Sequence, residues 1–368
     1  MDTTFSYAMP TDIYFGNIEN LRPLIEDHRV FFVTGKTALT RPPLNNEFGN
    51  IVKGVQYKIF SDIGPNPRFS DVRALAKEIK EFSPDIIVAI GGGSPIDAAK
   101  AASIVATSGG EPYDYFVKYT SLSSEPIPII AIPTTTGTGS EVTPFSVIVD
   151  EESHAKLAYG SLKIYPKTAI VDPRLSYTMP GHVAASTGVD ALSHAIEAIW
   201  TKRSNLISTV FAKEAIQIIM HNIIPSYMGD ISARDSMMFA SLLAGCAFSN
   251  TGVTAVHSAS YPITLDYDTP HGHACGLFLL PFIKFNWPFL GEKAFVLLDA
   301  FGAKSCKGII KQMEGIMGDL GLVTRFSEIG LKKEDIPHIA KRCIGKSTTN
   351  NPRDITESDI ADIIKERL

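Results

Sequence analysis

Thiols are sparse in this chain. Cys246, Cys275, Cys306 and Cys343 are the four cysteines among 368 residues, and no two of them form a CxxC pair. That spacing argues against a disulfide framework and a cysteine zinc site, and it suits a reducing, cytoplasmic setting. An excess of charge of one sign is also missing, because 34 Lys and Arg stand against 39 Asp and Glu for a net charge of -5. Without a basic surplus there is no electrostatic footprint for nucleic acid or an anionic membrane, so neither is expected as a partner. No apolar run reaches the ~18 residues of a membrane span, and residues 1–17 lack the basic-then-apolar order of a targeting signal. The first β-rich run, residues 30–33, is not followed by a GxGxxG, so the ordinary Rossmann fingerprint is absent. Gly35-Lys36-Thr37 has the tail of a P-loop, but that motif needs a glycine where Val30 stands.

What is present is enough apolar material for a large core: 45% hydrophobic against 20% charged residues. A length of 368 residues sits near the limit for one core and predicts two domains. Residues 1–178 alternate β-rich runs with amphipathic segments, the pattern of a mostly parallel sheet with crossover helices. Strands are expected at residues 30–33, 56–60, 85–90, 129–132, 145–149 and 168–171. A helix with Val72, Leu75, Ala76 and Ile79 on one face is expected before Pro84. After Met179-Pro180-Gly181 the strand pattern fades, and residues 179–368 read as an all-α domain. There Ile207, Val210, Phe211, Ala215, Ile218 and Ile219 suggest one apolar helix face, with Lys213 and Gln217 opposite. The fold class is therefore an α/β domain followed by a helical one.

Two glycine-containing loops follow successive strands. In Gly91-Gly92-Gly93-Ser94-Pro95-Ile96-Asp97, Ser94 is the expected N-cap, Pro95 the first helical residue and Asp97 the acid of a capping box. Glycines without Cβ let a phosphate approach backbone N–H groups that the helix dipole makes attractive to anions. The second loop, residues 133–141, carries Thr134, Thr135, Thr136, Gly137 and Thr138. Loops after neighbouring parallel strands lie at one sheet edge, where α/β proteins bind ligands.

In the helical half, Asp190 and His194 are four residues apart and so share one helix face. His257 and His271 lie further on, separated by Pro262 and Pro270, which are expected to place them on different helices. Three imidazoles and a carboxylate suit iron or zinc better than calcium or magnesium, and no thiolate is expected within reach. Four protein ligands leave room for a substrate oxygen. His273 is a candidate for bracing a ligand, while His28, His154, His182, His221 and His338 read as surface or structural residues.

Taken together, these motifs closely resemble the iron-containing, or group III, alcohol dehydrogenases, a family related to dehydroquinate synthase. The resemblance runs over essentially the whole chain, from Met9-Pro10-Thr11 to Asn351-Pro352-Arg353. It implies a nucleotide-binding α/β domain, a helical metal-binding domain and an active site in the cleft between them. The metal ligands it implies are Asp190, His194, His257 and His271, holding Fe(II) or alternatively Zn(II). The cofactor contacts it implies are Gly92, Gly93 and Ser94, with Asp97 nearby, and Asn66, Thr134, Thr135, Thr138, Val147 and Lys156.

Two positions depart from the family pattern. NAD-using relatives carry an acid after the first strand where this chain has Gly35 and Lys36. A ribose 2′-hydroxyl then lacks its carboxylate and a 2′-phosphate gains a cation, which favours NADP(H) over NAD(H). Tyr261 replaces a histidine often suggested as a proton relay, and its unperturbed pKa near ~10 differs from ~6.5 for imidazole. The activity implied is hydride transfer between the nicotinamide and a primary alcohol or aldehyde, in a homodimer. The alternatives are a metal enzyme of dehydroquinate synthase or glycerol dehydrogenase type, and a nucleotide-binding protein without catalysis.

Overall fold

The computed structural model describes residues 4–368. They form two compact units: one of residues 9–135 and 139–179, the other of the residues up to Ala8, residues 136–138 and residues 180–368.

The first unit contains, in chain order, β1 (Asp12–Phe15), α1 (Arg22–Ile25), β2 (Arg29–Thr34), α2 (Leu44–Ile51), β3 (Gln56–Phe60), α3 (Phe69–Phe82), β4 (Ile86–Gly91), α4 (Gly93–Ser108), α5 (Pro112–Phe116), β5 (Ile129–Pro133), β6 (Phe145–Asp150), β7 (Ala155–Gly160) and β8 (Thr168–Val171). Six strands make one sheet in the order β1-β8-β5-β4-β2-β3, with every pair parallel. The central strands read as continuous apolar runs because both faces are covered. Phe31 and Val33 of β2 enter one core cluster with Val72, Leu75 and Ile79 of α3, while Val30 and Phe32 enter another with Leu44 and Ile51 of α2. Burying each such side chain stabilises the unit by about 1.5–3 kcal/mol.

The mostly parallel sheet is as expected, with three local differences. Residues 145–150 do not join it but pair antiparallel with β7, a strand that Ala155-Lys156-Leu157-Ala158 did not advertise because alanine and lysine are poor strand formers. Helix α4 starts at Gly93 with Gly92 as its N-cap, so Ser94 falls inside the first turn. Asp97 does not reach back to the cap; its carboxylate turns to Ser140 Oγ at 2.5 Å and Val147 N at 3.0 Å.

The second unit is helical: α6 (Gly181–Trp200), α7 (Leu206–Tyr227), α8 (Ile231–Thr251), α9 (Ala255–Asp266), α10 (His271–Asn286), α11 (Glu292–Phe301), α12 (Cys306–Asp319), α13 (Ile336–Cys343) and α14 (Glu357–Glu366). Helix α6 is buried on all sides over its last four turns and packs against α7, α8 and α10. In α7 the buried stripe is Ala212, Ala215, Ile216, Ile219 and Ile223, whereas Val210 is 67% exposed. The segment is apolar around most of its circumference, so periodicity alone did not select the inner face. Pro262 lies within α9 instead of ending it, and Pro270 alone marks the start of α10. No single helix among the described residues is long and apolar enough to cross a membrane.

Candidate active site

Helix α6 carries Asp190, His194 and Glu197 on successive turns of one face, α9 carries His257 and Tyr261, and α10 opens with His271. Backbone contact sets the spacing of α6 and α10. A Cβ on Gly272 would stand 1.8 Å from the Ser186 carbonyl oxygen and 2.9 Å from Asp190 Cβ, so only glycine lets the helices approach. Asp190 Oδ1 then lies 3.4 Å from His257 Nε2, 3.7 Å from His271 Nε2 and 3.9 Å from His194 Nδ1.

The orientation of His257 is set by Glu197, a fully buried carboxylate. It accepts from Thr254 N at 2.9 Å, Val256 N at 3.1 Å, the Thr254 hydroxyl and the His257 Nδ1–H. With its proton held on Nδ1, His257 presents the Nε2 lone pair inward. That atom is buried and has no hydrogen-bond partner among the described residues. His271 Nδ1 lies 3.3 Å from Ser260 Oγ, which turns Nε2 of that ring toward Asp190. His194 stacks on Phe248 and on His257, with ring centroids 4.1 and 4.3 Å apart, and its Nδ1 faces the Gly137 carbonyl at 3.2 Å.

Burial alone would raise the Asp190 carboxyl, but His194, His271 and His257 around it hold it well below the usual carboxylate range. Burial pushes His194 down to about 4 against the pull of Asp190, so its imidazole is neutral. Burial opposes charge on His257, but Cys275, Glu197 and Asp190 around it raise it well above the ordinary value of an imidazole. A divalent metal requires a carboxylate and neutral imidazoles, so an ion here would displace the His257 proton.

One expectation is corrected here. A sulfur is within reach: Cys275 lies one turn after His271 on α10, and its Sγ is 3.9 Å from both Asp190 Oδ1 and His271 Nε2. The separation of 85 residues from Asp190 hid it, although the four-residue step from His271 was readable. Ligand atoms of Asp190, His257, His271 and Cys275 all fall within 4.8 Å of one another, a set that does not include His194. His273 points elsewhere, with Nε2 at 2.9 Å from the Val323 carbonyl. The remaining five histidines are exposed, in keeping with surface roles.

Gly92, Gly93, Ser94, Thr134 and Thr135 lie just past the carboxyl ends of neighbouring strands in the first unit. Gly91 ends β4 opposite Pro133 of β5, and Thr134 N donates to the Gly91 carbonyl at 2.9 Å. Gly91 has φ +153°, and a Cβ there would meet Pro95 at 2.6 Å, so the turn into α4 requires glycine. Gly92 lies against Thr135, and Gly93 and Ser94 form the first turn of α4. Gly35 and Lys36 follow β2, the next strand, where Lys36 pairs with Asp62 at 3.1 Å. Lys156 on β7 donates to Asn66 Oδ1 at 3.1 Å, and Val147 N donates to Asp97. Thr138 belongs to the other unit, with the Gly137 carbonyl that faces His194. Lys100, unassigned from sequence, is fully buried and donates to the carbonyls of Ser140 at 2.7 Å, Thr143 at 2.9 Å and Phe145 at 2.8 Å. It tacks down the segment between β5 and β6.

Residues 10–173 match the profile described as iron-containing alcohol dehydrogenase, and residues 184–368 match its C-terminal counterpart, described as Fe-containing alcohol dehydrogenase family, C-terminal. The chain belongs to the iron-containing alcohol dehydrogenase family. Among its relatives, the NAD-dependent methanol dehydrogenase of Bacillus methanolicus is 35% identical, with 86% of this chain and 85% of that protein covered. The NADPH-dependent butanol dehydrogenase of Clostridium saccharobutylicum is 31% identical over 98% of this chain and 97% of that one. The crystal structure of the iron-containing alcohol dehydrogenase of Thermotoga maritima superposes with a TM-score of 0.88 at 31% identity, covering 99% of each chain. The family's metal fits the residues present. The orphaned Nε2 of His257, the ionised Asp190 and neutral His194 surround the place where a cation satisfies all three.

Proposed function

We propose that this member of the family transfers a hydride between C4 of a nicotinamide dinucleotide and a small primary alcohol or aldehyde. The inward, unpartnered Nε2 of His257 beside Asp190 is the observation that carries the reading. Asp190, His194, His257 and His271 hold the ion, and both Fe(II) and Zn(II) suit that donor set. When bound, the ion supplies Lewis acidity to a substrate oxygen. Asp190 contributes the one full negative charge among these residues, and Glu197 keeps His257 in the tautomer whose lone pair points inward. Tyr261, one turn after His257 with its ring 5.7 Å from that of His271, offers a hydroxyl that donates a hydrogen bond at neutral pH in place of a histidine relay.

Residues 1–178 hold the nucleotide and residues 179–368 the metal in this reading. Gly92, Gly93 and Ser94 receive the pyrophosphate at the start of α4, with Asp97 fixing the adjoining strand and Thr134, Thr135 and Thr138 lining the loop. Asn66, Val147 and Lys156 complete the dinucleotide contacts. NADP(H) is preferred to NAD(H), since position 35 offers no carboxylate and Lys36 is a cation. The Lys36–Asp62 pair is about three-quarters exposed, and such pairs contribute only ~0–1 kcal/mol, so a 2′-phosphate can draw Lys36 away. The exposed edge of β1, with Ile13, Tyr14 and Phe15 near 40% accessible, supports pairing in a homodimer. The four cysteines form no disulfide among the described residues, which suits a cytoplasmic enzyme.

The test is a panel of short alcohols and aldehydes assayed at 340 nm with each nucleotide, for the wild type and Gly35→Asp. An aspartate fits, because its Cβ would meet only the Ile63 carbonyl at 3.6 Å. The variant is expected to lose about tenfold or more in its NADPH:NADH ratio of kcat/KM, about 1.4 kcal/mol, from charge repulsion. An unchanged ratio removes the NADP assignment, and no turnover of any substrate removes the dehydrogenase reading.

A further inference from the structure

Helix α4 buries a cation. Lys100 is fully enclosed, and lysine is almost never so unless its ammonium is paired. The three N–H groups of that ammonium are met by three carbonyls of one segment, Ser140 at 2.7 Å, Phe145 at 2.8 Å and Thr143 at 2.9 Å, with the Ser140 hydroxyl at 3.1 Å beside them. Residues 140–145 are thus wrapped around one charge. One turn earlier on the same helix, Asp97 holds the segment from the other side. Its carboxylate accepts from Ser140 Oγ at 2.5 Å and Val147 N at 3.0 Å, and its carbonyl accepts from Ser146 Oγ at 2.8 Å. Burial pulls the ammonium down to about 8 against the pull of Asp97 and Glu141, the acids that face it, so Lys100 is mostly charged at neutral pH.

The segment leads directly into the cofactor candidates. Phe145 opens β6, and the register of β6 with β7 sets Val147 against Ala158 and Val149 against Lys156. Asp97, Val147 and Lys156 are three of the residues read above as dinucleotide contacts, and all lie in the first unit with Lys100.

We propose that Lys100 is a positioning residue for the dinucleotide: its ammonium fixes residues 140–145 and, through them, the placement of Asp97, Val147 and Lys156, without touching the nucleotide itself. The inference rests on the reading that these residues hold a nicotinamide nucleotide. Without the charge, three carbonyls lose their donor at once, and Asp97 is left to hold the segment alone. A nucleotide that binds only the ordered segment loses affinity in proportion to the time the segment spends elsewhere. Order for one-tenth of the time raises the dissociation constant about tenfold.

The experiment compares full-length wild type with Lys100→Met, which keeps most of the apolar stem and removes the charge. Calorimetric titration with NADPH and NADH gives the dissociation constants, and hydrogen exchange reports on residues 140–147. The variant is expected to bind nucleotide about tenfold or more weakly and to exchange faster in that segment, with metal content unchanged. Its KM for nucleotide should rise while kcat at saturation stays within about threefold, the pattern of lost binding and not of lost chemistry. An unchanged dissociation constant, with or without faster exchange, overturns the inference and leaves Lys100 a purely structural residue. A wild type that binds neither nucleotide overturns the nucleotide reading and this inference with it. Where the methionine variant does not fold, Lys100→Gln keeps two N–H donors without the charge. It is expected to weaken binding by about 3–10-fold, and wild-type affinity there overturns the inference equally.

Discussion

Gly272→Ala tests whether the α6–α10 spacing builds the centre. The added methyl carbon would start 1.8 Å from the Ser186 carbonyl oxygen, and contacts under 3.0 Å are essentially never seen, so more than about 1 Å of separation must open. Ser186 is itself buried and leads directly into the part of α6 that is buried on all sides, which limits its retreat. The displaced residues are the ones that matter, since Ser186 precedes Asp190 by one turn and Gly272 adjoins His271. The 3.7 Å gap between Asp190 Oδ1 and His271 Nε2 widens accordingly, whereas metal–ligand distances tolerate about 0.2 Å. Overpacking of this kind costs about 1–3 kcal/mol or more, which lowers the melting temperature by roughly 2–12 °C for a unit of this size. Metal content after dialysis and thermal unfolding of the chelated protein are the two measurements. Wild-type metal retention together with an unshifted melting temperature refutes the claim that glycine is required by close helix contact.

Glu197→Gln turns an acceptor of four donors into a group whose amide nitrogen must face one of them. We expect metal affinity 10–100-fold weaker by competition with a chelator, and an unchanged dissociation constant contradicts the positioning role. Glu141→Gln reports on the buried carboxyl that burial pushes up to about 7 against its own backbone hydrogen bond and Lys100. The folded wild type holds that proton from about pH 4.5 to 7 where the unfolded chain does not, so its stability falls as pH rises through this window. The variant lacks this slope and gains on the wild type by up to about 3 kcal/mol across the window, read from urea midpoints; parallel pH profiles contradict it.

The parallel sheet was legible because its central strands are unbroken apolar runs and the turns between them carry glycine and proline. The residues that converge on Asp190 were legible through helical spacing, at four residues for His194 and by the two later histidines. What escaped was set by tertiary contact. Cys275 meets Asp190 only once α10 lies against α6, and Glu197 acquires its meaning from the backbone N–H groups of Thr254 and Val256 at the start of α9. Lys100 reads as the end of a glycine-rich motif until three carbonyls from a distant loop surround it. The inner face of α7 escaped for the opposite reason, since too many of its positions are apolar for sequence to choose among them.

The carboxylate of Glu197 holds the first turn of α9 and the ring of His257 at once, using partners supplied wholly by the protein. The framework of the centre is therefore assembled by the fold, unlike small zinc domains that are unfolded until metal arrives. On the metal reading proposed above, an ion would leave and another enter without the helices coming apart, and the choice of metal would fall after folding.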